Sequence, residues 1–417
     1  MQHRKLPHPD PKMYDPLMVT LGDIEKARSR IGDSVFLSPC SKSETLSRLT
    51  GCEVYLKLEN LQMTGSYKER GSLNKILQLS DLQKAAGVIT ASAGNHAQGV
   101  AHAARLSGIE ATIVMPETTP LSKIRGTQEF GATILLHGGG YDEAYRKARE
   151  LQKEKGCTFI HAFNDPHVIA GQGTIGLELL EQVPDVDAVV VPVGGGGLIA
   201  GIATAVKGIR SDVRVIGVEA ERMPAMRASI KEGRVCPLPT INTLADGIAV
   251  ANVGDHTLPI VQKLVSAIVT VNEEEIANAV MVLLEREKTL AEGAGAVGFA
   301  ALYNRHVTDI VDRKVVVIIS GGNIDMTLLS KILERGLESD GRLTRLKIVV
   351  PDKPGSIAEL AALVARHRAN ILQISQNRSV IEVKLEETEV ELTLETRGLD
   401  HTRLITNSIN DHGFRVK

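Results

Sequence analysis

The sequence predicts an α/β protein with mostly parallel sheets covered by helices on both faces, followed by a smaller module of ferredoxin-like βαββαβ order. Between residues 87 and 320, short β-branched runs alternate with Ala- or Leu-rich runs of helical length. That alternation is typical of parallel sheets. After residue 344 a different succession of strand-like and helix-like segments begins. Because ligands in open α/β sheets bind at the carboxyl ends of strands, we look for function in the loops that leave them.

The elements of the first part follow in chain order. The segment EVYLKLEN alternates apolar and polar residues and predicts a strand that runs into a glycine turn. Ser66 and Glu69 have the spacing of a capping box, which predicts a helix with Ser66 as its N-cap. Leu73, Ile76 and Leu77 continue that helix as an apolar stripe. The strands after it are predicted over GVIT, ATIVM, ATILLH, TFIH, AVVVPV, VRVIGVE and VVVIIS.

The smaller module begins after a polar, glycine-containing segment, which we predict to be a linker over residues 336–344. RLKIVV, NILQIS, VIEVKL, EVELTL and the final GFRVK predict strands, with VIEVKL and EVELTL as a hairpin. One helix face is predicted over Ile357, Leu360, Ala361, Val364 and Ala365, and a second helix over Leu404, Ile405 and Ile409. We therefore predict a catalytic domain over 1–335, with a small lobe at about 55–155, and a regulatory domain over 345–417.

The composition argues against several classes of function. The chain has 417 residues, a formal net charge of -2, 3% aromatic residues and no Trp, so it lacks both a basic footprint and base-stacking platforms for nucleic acid. Its cysteines lack the spacing of a zinc site or disulfide framework, and its histidines form no metal-ligand pair. No uncharged span is long enough to cross a bilayer. We expect a soluble cytoplasmic protein that binds neither nucleic acid nor membranes.

Lys68 is the first candidate for chemistry. It falls in the first turn of the predicted helix, where the helix dipole disfavours an ammonium and favours an anion. A lysine there commonly points into water, and this stretch alone would favour that interpretation. The alternative is an amine that serves as a nucleophile.

Two further loops carry polar groups at strand ends. Ala91 to Gly99, ASAGNHAQG, places small residues at a helix start, where backbone N–H groups can approach a carboxylate or phosphate. Ser320 follows VVVIIS and could meet a ring nitrogen of a buried cofactor, or act as a plain N-cap. Neither loop is decisive by itself.

The run Gly194 to Gly197 lies between AVVVPV and a predicted helix. Four successive glycines weaken folding through backbone entropy, so a phosphate cradle of backbone donors explains them better than turn chemistry does. The same stretch also fits G-x-G-x-x-A, and Glu219 closes the next strand at the distance that a dinucleotide site requires. A nicotinamide enzyme is therefore the rival interpretation, but it would leave Lys68 and Ser320 unexplained. Together the groups favour pyridoxal phosphate, which needs an amine, phosphate donors and a ring-nitrogen partner.

At these residues the chain resembles the threonine dehydratase (threonine ammonia-lyase) family of fold-type II, tryptophan synthase β-like, pyridoxal-phosphate enzymes. The resemblance runs over about residues 16–336 and rests on ENLQMTGSYKERG, SAGNHAQGVA, GGGGL, TLADGIAV and SGGN. Tyr67 stands where the family usually has phenylalanine. The segment DKPG resembles the start of an ACT amino-acid-sensing domain, so the chain is similar to family members with a single C-terminal ACT domain.

The resemblance implies a role for each matched residue. Lys68 would hold the cofactor covalently beside Tyr67 and later take the substrate α-proton. Asn95 would bond the ring hydroxyl, Ser320 the pyridine nitrogen, and Gly194, Gly195, Gly196 and Gly197 the phosphate. The loop for the substrate carboxylate would be formed by Ser92, Ala93, Gly94 and His96.

Departures from related patterns narrow the expected activity. Serine racemases resemble this chain but usually carry a serine where Ala93 stands, which makes racemisation a weaker alternative. Glu219 matches one carboxylate of a divalent-metal site in some relatives, but Met223 and Ala225 occupy the region where a further acid is expected. We therefore predict no metal, while Glu219 keeps the question open.

The resemblance implies deamination of L-threonine to 2-oxobutanoate and ammonia, with some activity on L-serine. L-Serine dehydratase or serine racemase of the same fold is the alternative, and an NAD-dependent oxidoreductase a distant one. A third alternative is a non-catalytic amino-acid sensor, but the complete Lys68 and SAGNH set argues against it. We expect an amino-acid effector at the ACT-like module, near the turn at Gly355 and the NILQ strand, and a homo-oligomer, dimer or tetramer.

Overall fold

The computed structural model describes residues 19–378, 381 and 383–417. The chain divides into two compact units, Met1–Asp325 and Met326–Lys417. Among the described residues, no helix has both the length and the apolar character needed to cross a membrane.

The first unit contains two sheets. The strands are β1 (Cys40–Lys42), β2 (Glu53–Leu58), β3 (Val88–Ala91), β4 (Ala111–Met115), β5 (Thr133–Leu136), β6 (Thr158–Phe159), β7 (Ala188–Pro192), β8 (Arg214–Ala220), β9 (Ala267–Val271) and β10 (Lys314–Ile319). The larger sheet has the order β1-β2-β10-β7-β8-β9 and is parallel except for the β1–β2 pair. The smaller sheet has the order β5-β4-β3-β6 and is parallel throughout.

Helices surround both sheets. They are α1 (Leu21–Ile31), α2 (Glu44–Thr50), α3 (Lys68–Ile76), α4 (Asp81–Ala86), α5 (Asn95–Leu106), α6 (Leu121–Gln128), α7 (Tyr141–Lys155), α8 (Pro166–Gln182), α9 (Gly197–Ile209), α10 (Ala225–Glu232), α11 (Thr257–Leu264), α12 (Glu273–Glu287) and α13 (Gly293–Tyr303). Every residue of β3 and β7 is buried, as expected for central strands covered on both faces.

The predicted fold class is confirmed, and each strand predicted between residues 87 and 320 is present. Strand β9 was not predicted. Strand β2 lies at the start of the range predicted for the small lobe, but it pairs in parallel with β10 of the larger sheet.

The predicted capping box is wrong. Helix α3 begins at Lys68, its N-cap is Tyr67, and no side chain caps it. Ser66 instead forms a β-bridge with Gly321, and its buried hydroxyl has no hydrogen-bond partner. The Glu69 carboxylate accepts hydrogen bonds from the backbone N–H and the hydroxyl of Thr64, at 2.8 and 2.9 Å. The long-range bridge therefore outweighs the local capping pattern.

The second unit has the predicted βαββαβ order behind a leading helix. Its elements are α14 (Met326–Ser339), β11 (Leu343–Pro351), α15 (Ser356–Arg366), β12 (Asn370–Asn377), β13 (Glu387–Glu395), α16 (Leu399–Asp411) and β14 (Arg415–Val416). The sheet is antiparallel with the order β12-β13-β11-β14.

Two details of this unit differ from the sequence prediction. The residues predicted as a linker are helical up to Ser339 and extended from Leu343. Residues 380 and 382 of the predicted VIEVKL strand lie outside the described residues, and residues 381 and 383–385 are not in a strand. The hairpin partner of β13 is β12 instead.

Candidate active site

Lys68 is the first residue of α3 and lies close to the end of β10. The backbone N–H of Tyr67 donates to the carbonyl of Ser320 at 3.1 Å, which joins the start of α3 to that strand end. The Lys68 Nζ donates to the carbonyl of Ala162 at 3.2 Å and lies 5.1 Å from the centre of the Tyr67 ring. The Lys68 amine is therefore held by a protein carbonyl and does not point into open solvent.

A buried ion network holds the start of α3. Arg70 is 1% exposed and donates to both oxygens of Glu59 at 2.8 Å and to both oxygens of Glu178. Lys57, fully buried on β2, donates to the same Glu178 at 2.6 Å. Burial alone would raise the pKa of Glu59, but the Arg70 charge, its hydrogen bonds and Lys57 outweigh that effect and hold the pKa below its usual value. Sequence analysis did not identify this network.

Asn95 is the first residue of α5 and contacts two partners far away in sequence. Its Nδ2 donates to Glu292 Oε1 at 2.7 Å, and its Oδ1 accepts from Asn323 Nδ2 at 2.9 Å. Glu292 precedes α13, is 5% exposed, and has a backbone N–H that donates to the carbonyl of Gly321. Desolvation, with a contribution from Asp246, raises the pKa of Glu292 to about 7. Sequence analysis did not identify Glu292, because it lies outside the recognised motifs and far in sequence from Asn95.

The glycine loop follows β7 and ends in the first turn of α9. In the described part of the chain, the amides of Gly194 to Gly197 donate to no other protein group. A Cβ on Gly195 would lie 2.4 Å from the ring of Phe163, and Gly196 has φ +93. The carbonyl of Gly195 accepts from the Thr257 hydroxyl at 2.7 Å. The loop is thus pinned by its carbonyl and leaves its amides available to an anion.

The loop after β3 brings its residues to the start of α5. The Ser92 hydroxyl accepts from the backbone N–H of Gly94 at 3.3 Å, with Ala93 between them. His96 turns its ring away, because Nε2 bonds to the carbonyl of Ile160 at 2.9 Å and Nδ1 is buried without a partner. Desolvation, together with the charge of Lys68, lowers the pKa of His96 to about 3. The ring is therefore neutral, and only the His96 backbone can serve an anion in this loop.

These contacts connect the predicted residues to each other. Tyr67 bonds to Ser320, which is 2% exposed, and Asn95 reaches Gly321 through Glu292. Ala162, the partner of Lys68, directly precedes Phe163, which packs against the glycine loop. The Lys68 amine, the Asn95 amide, the backbone of Ser320 and the unpaired amides of the glycine loop are therefore connected through a series of short contacts.

This donor set fits pyridoxal phosphate. The unpaired amides at the start of α9 suit the phosphate, Lys68 supplies the amine, and Asn95 has one Nδ2 hydrogen without an assigned protein partner. Ser320, at the end of β10, offers a neutral hydroxyl for the ring nitrogen.

Glu219 is held by backbone amides. Its carboxylate accepts from the N–H groups of Met226 and Arg227, at 2.7 and 2.9 Å, in the first turn of α10. Desolvation raises the pKa of Glu219 to about 7. Among the described residues, no group of three or more His, Cys, Asp or Glu side chains could hold a metal ion.

Comparisons with known proteins show the family of the chain. Residues 31–321 match the family model described as pyridoxal-phosphate dependent enzyme, and residues 344–403 match that of the ACT domain. An L-threonine ammonia-lyase from Thermotoga maritima is 50% identical over 400 residues, which cover 96% of this chain and 99% of that protein. An L-threonine ammonia-lyase from Geobacter sulfurreducens is 47% identical over 393 residues, covering 94% and 98%.

Solved structures share the fold of the catalytic part. The processed form of threonine deaminase isoform 2 from Solanum lycopersicum has a TM-score of 0.73 and 40% identity, covering 77% of this chain and 94% of that chain. Maize serine racemase has a TM-score of 0.73 and 36% identity, covering 77% and 98%. The chain therefore belongs to the fold-type II pyridoxal-phosphate-dependent enzymes, in the threonine ammonia-lyase family, with a single C-terminal ACT domain.

Proposed function

We propose that the protein deaminates L-threonine to 2-oxobutanoate and ammonia by α,β-elimination of water, and that it also converts L-serine to pyruvate. The observation that carries the proposal is the linkage of the Lys68 amine to the Asn95 amide, the Ser320 strand end and the unpaired glycine-loop amides. The relatives named L-threonine ammonia-lyase, similar over nearly the whole chain, support the choice of threonine. One extra methyl group discriminates only modestly in a pocket, so L-serine is expected as a second substrate.

Pyridoxal phosphate supplies, when bound, a π system that delocalises the electron pair left on the substrate α-carbon. In this proposal Lys68 Nζ holds the cofactor and then removes the α-proton. Its bond to the carbonyl of Ala162 holds the amine next to the residue that precedes Phe163, which packs against the glycine loop. Tyr67 packs against the same amine.

The other residues bind and orient. The phosphate would be bound by the amides of Gly194, Gly195, Gly196 and Gly197, and Asn95 Nδ2 would donate to the ring hydroxyl. Ser320 would contact the pyridine nitrogen. Because a hydroxyl is neutral, it would leave that nitrogen largely unprotonated, which would favour prompt elimination over transamination.

The substrate carboxylate is assigned to the loop Ser92, Ala93, Gly94 and His96. This loop leads into the N-terminus of α5, where unpaired amides and the helix dipole favour an anion. His96 contributes its backbone only, since its ring bonds to Ile160.

The experiment is an absorption spectrum of the purified protein in the visible range, with and without borohydride, followed by L-threonine and a 2-oxo-acid assay. We expect a band that borohydride bleaches, and 2-oxobutanoate release. Lys68→Ala should lack both. Lys75→Ala is the matched control, because Lys75 lies in the same helix but pairs with Asp165 at 2.8 Å. A protein that stays colourless with added pyridoxal phosphate would refute the proposal, whereas a coloured protein inert on threonine would redirect it to L-serine.

Racemisation of serine is the second candidate, favoured by the likeness to maize serine racemase. Ala93 stands where serine racemases usually carry a serine that supplies the opposite-face proton. We therefore expect negligible D-serine from L-serine in the wild type. Chiral chromatography would detect it, and Ala93→Ser is the variant expected to raise it.

The ACT domain is proposed to bind an amino-acid effector. A cavity of about 400 Å³ lies at the start of α15, lined by Asp352, Gly355, Ser356, Gln376 and Arg378 among others. The Ser356 hydroxyl is buried without a partner, and Asp352 pairs with Arg378 at 3.0 Å. Amides and a hydroxyl at a helix start suit a carboxylate, and Asp352 suits an ammonium group. The cavity is lined by the later part of β12 rather than by the predicted NILQ.

Calorimetric titration of the full-length protein with amino acids tests this site. Ser356→Ala should weaken effector binding and the change in threonine deamination that it causes, whereas Ser375→Ala on β12, outside the cavity lining, should not. Unchanged effector affinity in Ser356→Ala would contradict the assignment. We also propose a homo-oligomer, dimer or tetramer, in the cytoplasm; light scattering of the purified protein would measure its size.

A further inference from the structure

We infer that Glu292 is a positioning residue that fixes the Asn95 carboxamide and places a titratable charge beside the ring hydroxyl of the cofactor. The inference rests on the proposed role of Asn95. It adds a residue that neither the sequence motifs nor the family comparison identified.

The orientation of Asn95 follows from a chain of hydrogen bonds. Asn323 Nδ2 donates to the carbonyl of Thr64 at 2.7 Å, so that end of the Asn323 side chain must be the amino group. The same Nδ2 donates to Asn95 at 2.9 Å, which makes the contacted Asn95 atom an oxygen. The Asn95 amino group therefore faces Glu292 Oε1, at 2.7 Å. One of its two hydrogens is used there, and the other remains for a ligand oxygen.

Glu292 also borders the residue that follows Ser320. A Cβ on Gly321 would lie 2.5 Å from Glu292 Oε1 and 3.1 Å from Asn95 Nδ2. Gly321 therefore leaves room for the carboxylate and the amide to meet. Any side chain at this position would separate Glu292 from Asn95 or displace Ser320.

The charges around Glu292 do not neutralise it directly. In the described part of the chain no lysine or arginine forms a salt bridge with it, while Asp246 repels it and Lys123 and Lys68 attract it from a distance. Asp246 and Lys123 pair with each other at 2.8 Å, and both are partly exposed. Because its pKa is raised to about 7, Glu292 changes from neutral to ionised across neutral pH.

That change should be visible in the bound cofactor. An ionised Glu292 places negative charge one amide away from the ring oxygen, and it disfavours the anionic form of that oxygen. The visible absorption band should therefore shift as the pH rises through about 7, where Glu292 ionises. Glu292→Gln keeps the shape and the hydrogen-bond acceptor but not the charge. Its spectrum should stay near that of the wild type at low pH, and its dissociation constant for pyridoxal phosphate should change less than about threefold.

Glu219→Gln is the matched control. Glu219 is also buried with a pKa raised to about 7, but it contacts the start of α10 instead of Asn95. It should retain the pH-dependent spectrum. If Glu292→Gln retained the wild-type shift, if Glu219→Gln lost it equally, or if the wild type showed no shift, the inference would be overturned.

Two partly exposed variants provide a test that does not depend on changing a buried group. Asp246→Asn removes the repelling charge and should move the midpoint of the spectral shift to lower pH, because Glu292 then ionises more easily. Lys123→Met should move it to higher pH. Midpoints that stay fixed or move in the opposite sense would contradict the role of Glu292. A wild type that binds no pyridoxal phosphate would instead refute the proposed function itself, so the two failures are distinguishable.

Discussion

Replacing Arg70 by methionine should destabilise the first unit much more than breaking an exposed ion pair. Arg70 is 1% exposed and satisfies both carboxylate oxygens of Glu59, which is itself fully buried. Glu178 would retain Lys57. Among the described residues, Glu59 would keep the Ser38 hydroxyl and the Gln62 amide, which are neutral donors. Leaving one buried charge without its partner costs about 3–5 kcal/mol.

Urea unfolding followed by circular dichroism would measure the loss, as the shift in midpoint multiplied by the common slope. Arg28→Met is the matched control, because it breaks the Arg28–Glu181 pair, whose side chains are 41% and 58% exposed. Such a surface pair contributes about 1 kcal/mol or less. The double variant Arg70→Met with Glu59→Gln should recover part of the loss, since the uncompensated charge is removed.

The pH dependence gives a second criterion with a definite sign. In the wild type the pKa of Glu59 is lowered, so its contribution to stability is present at neutral pH and is lost as pH falls through the folded pKa. Without Arg70, burial raises the pKa of Glu59 above its unfolded value of about 4.3. The loss of stability caused by Arg70→Met should therefore shrink as pH falls toward about 4.3, because Glu59 becomes protonated in the folded state. A loss below about 1 kcal/mol, or no recovery in the double variant, would refute the reasoning.

Three further outcomes are expected. Gly195→Ala should weaken pyridoxal phosphate binding at least about tenfold in equilibrium dialysis, because its Cβ would lie 2.4 Å from the Phe163 ring, whereas Gly140→Ala, with nothing within 4 Å, should not. Thr257→Val removes the hydroxyl that donates to the Gly195 carbonyl and should also weaken cofactor binding, whereas Thr257→Ser should bind like the wild type. If Thr257→Val bound pyridoxal phosphate as tightly as Thr257→Ser, this role of the hydroxyl would be ruled out. His96 has a pKa lowered to about 3, so the unfolded chain binds the extra proton first and stability falls as pH drops from about 6.5. His96→Gln should reduce this decrease in the free energy of unfolding, measured by urea unfolding at several pH values. An unchanged dependence of the unfolding free energy on pH would contradict the prediction.

Local patterns were enough to predict much of the fold. Strands β7 and β10 were identifiable because five or six β-branched and apolar residues in succession suit a strand buried on both faces. Lys68 at the start of α3 and the glycine run before α9 were also identifiable, because helix starts and glycine clusters have short-range signatures. The resemblance then assigned roles to residues within those same motifs.

Long-range pairing decided the rest. Ser66 had the pattern of a cap, but its bridge to Gly321 replaced that role. Asn95 and Glu292 are 197 positions apart, and Arg70 and Glu178 are 108 apart. By itself the sequence determined most of the strands between residues 87 and 320, and it placed Lys68 at a helix start and the glycine run before α9. Only the tertiary structure decided which buried charges compensate each other and which carboxyl group faces Asn95, because a buried polar group takes whatever partner the chain topology brings within hydrogen-bond distance.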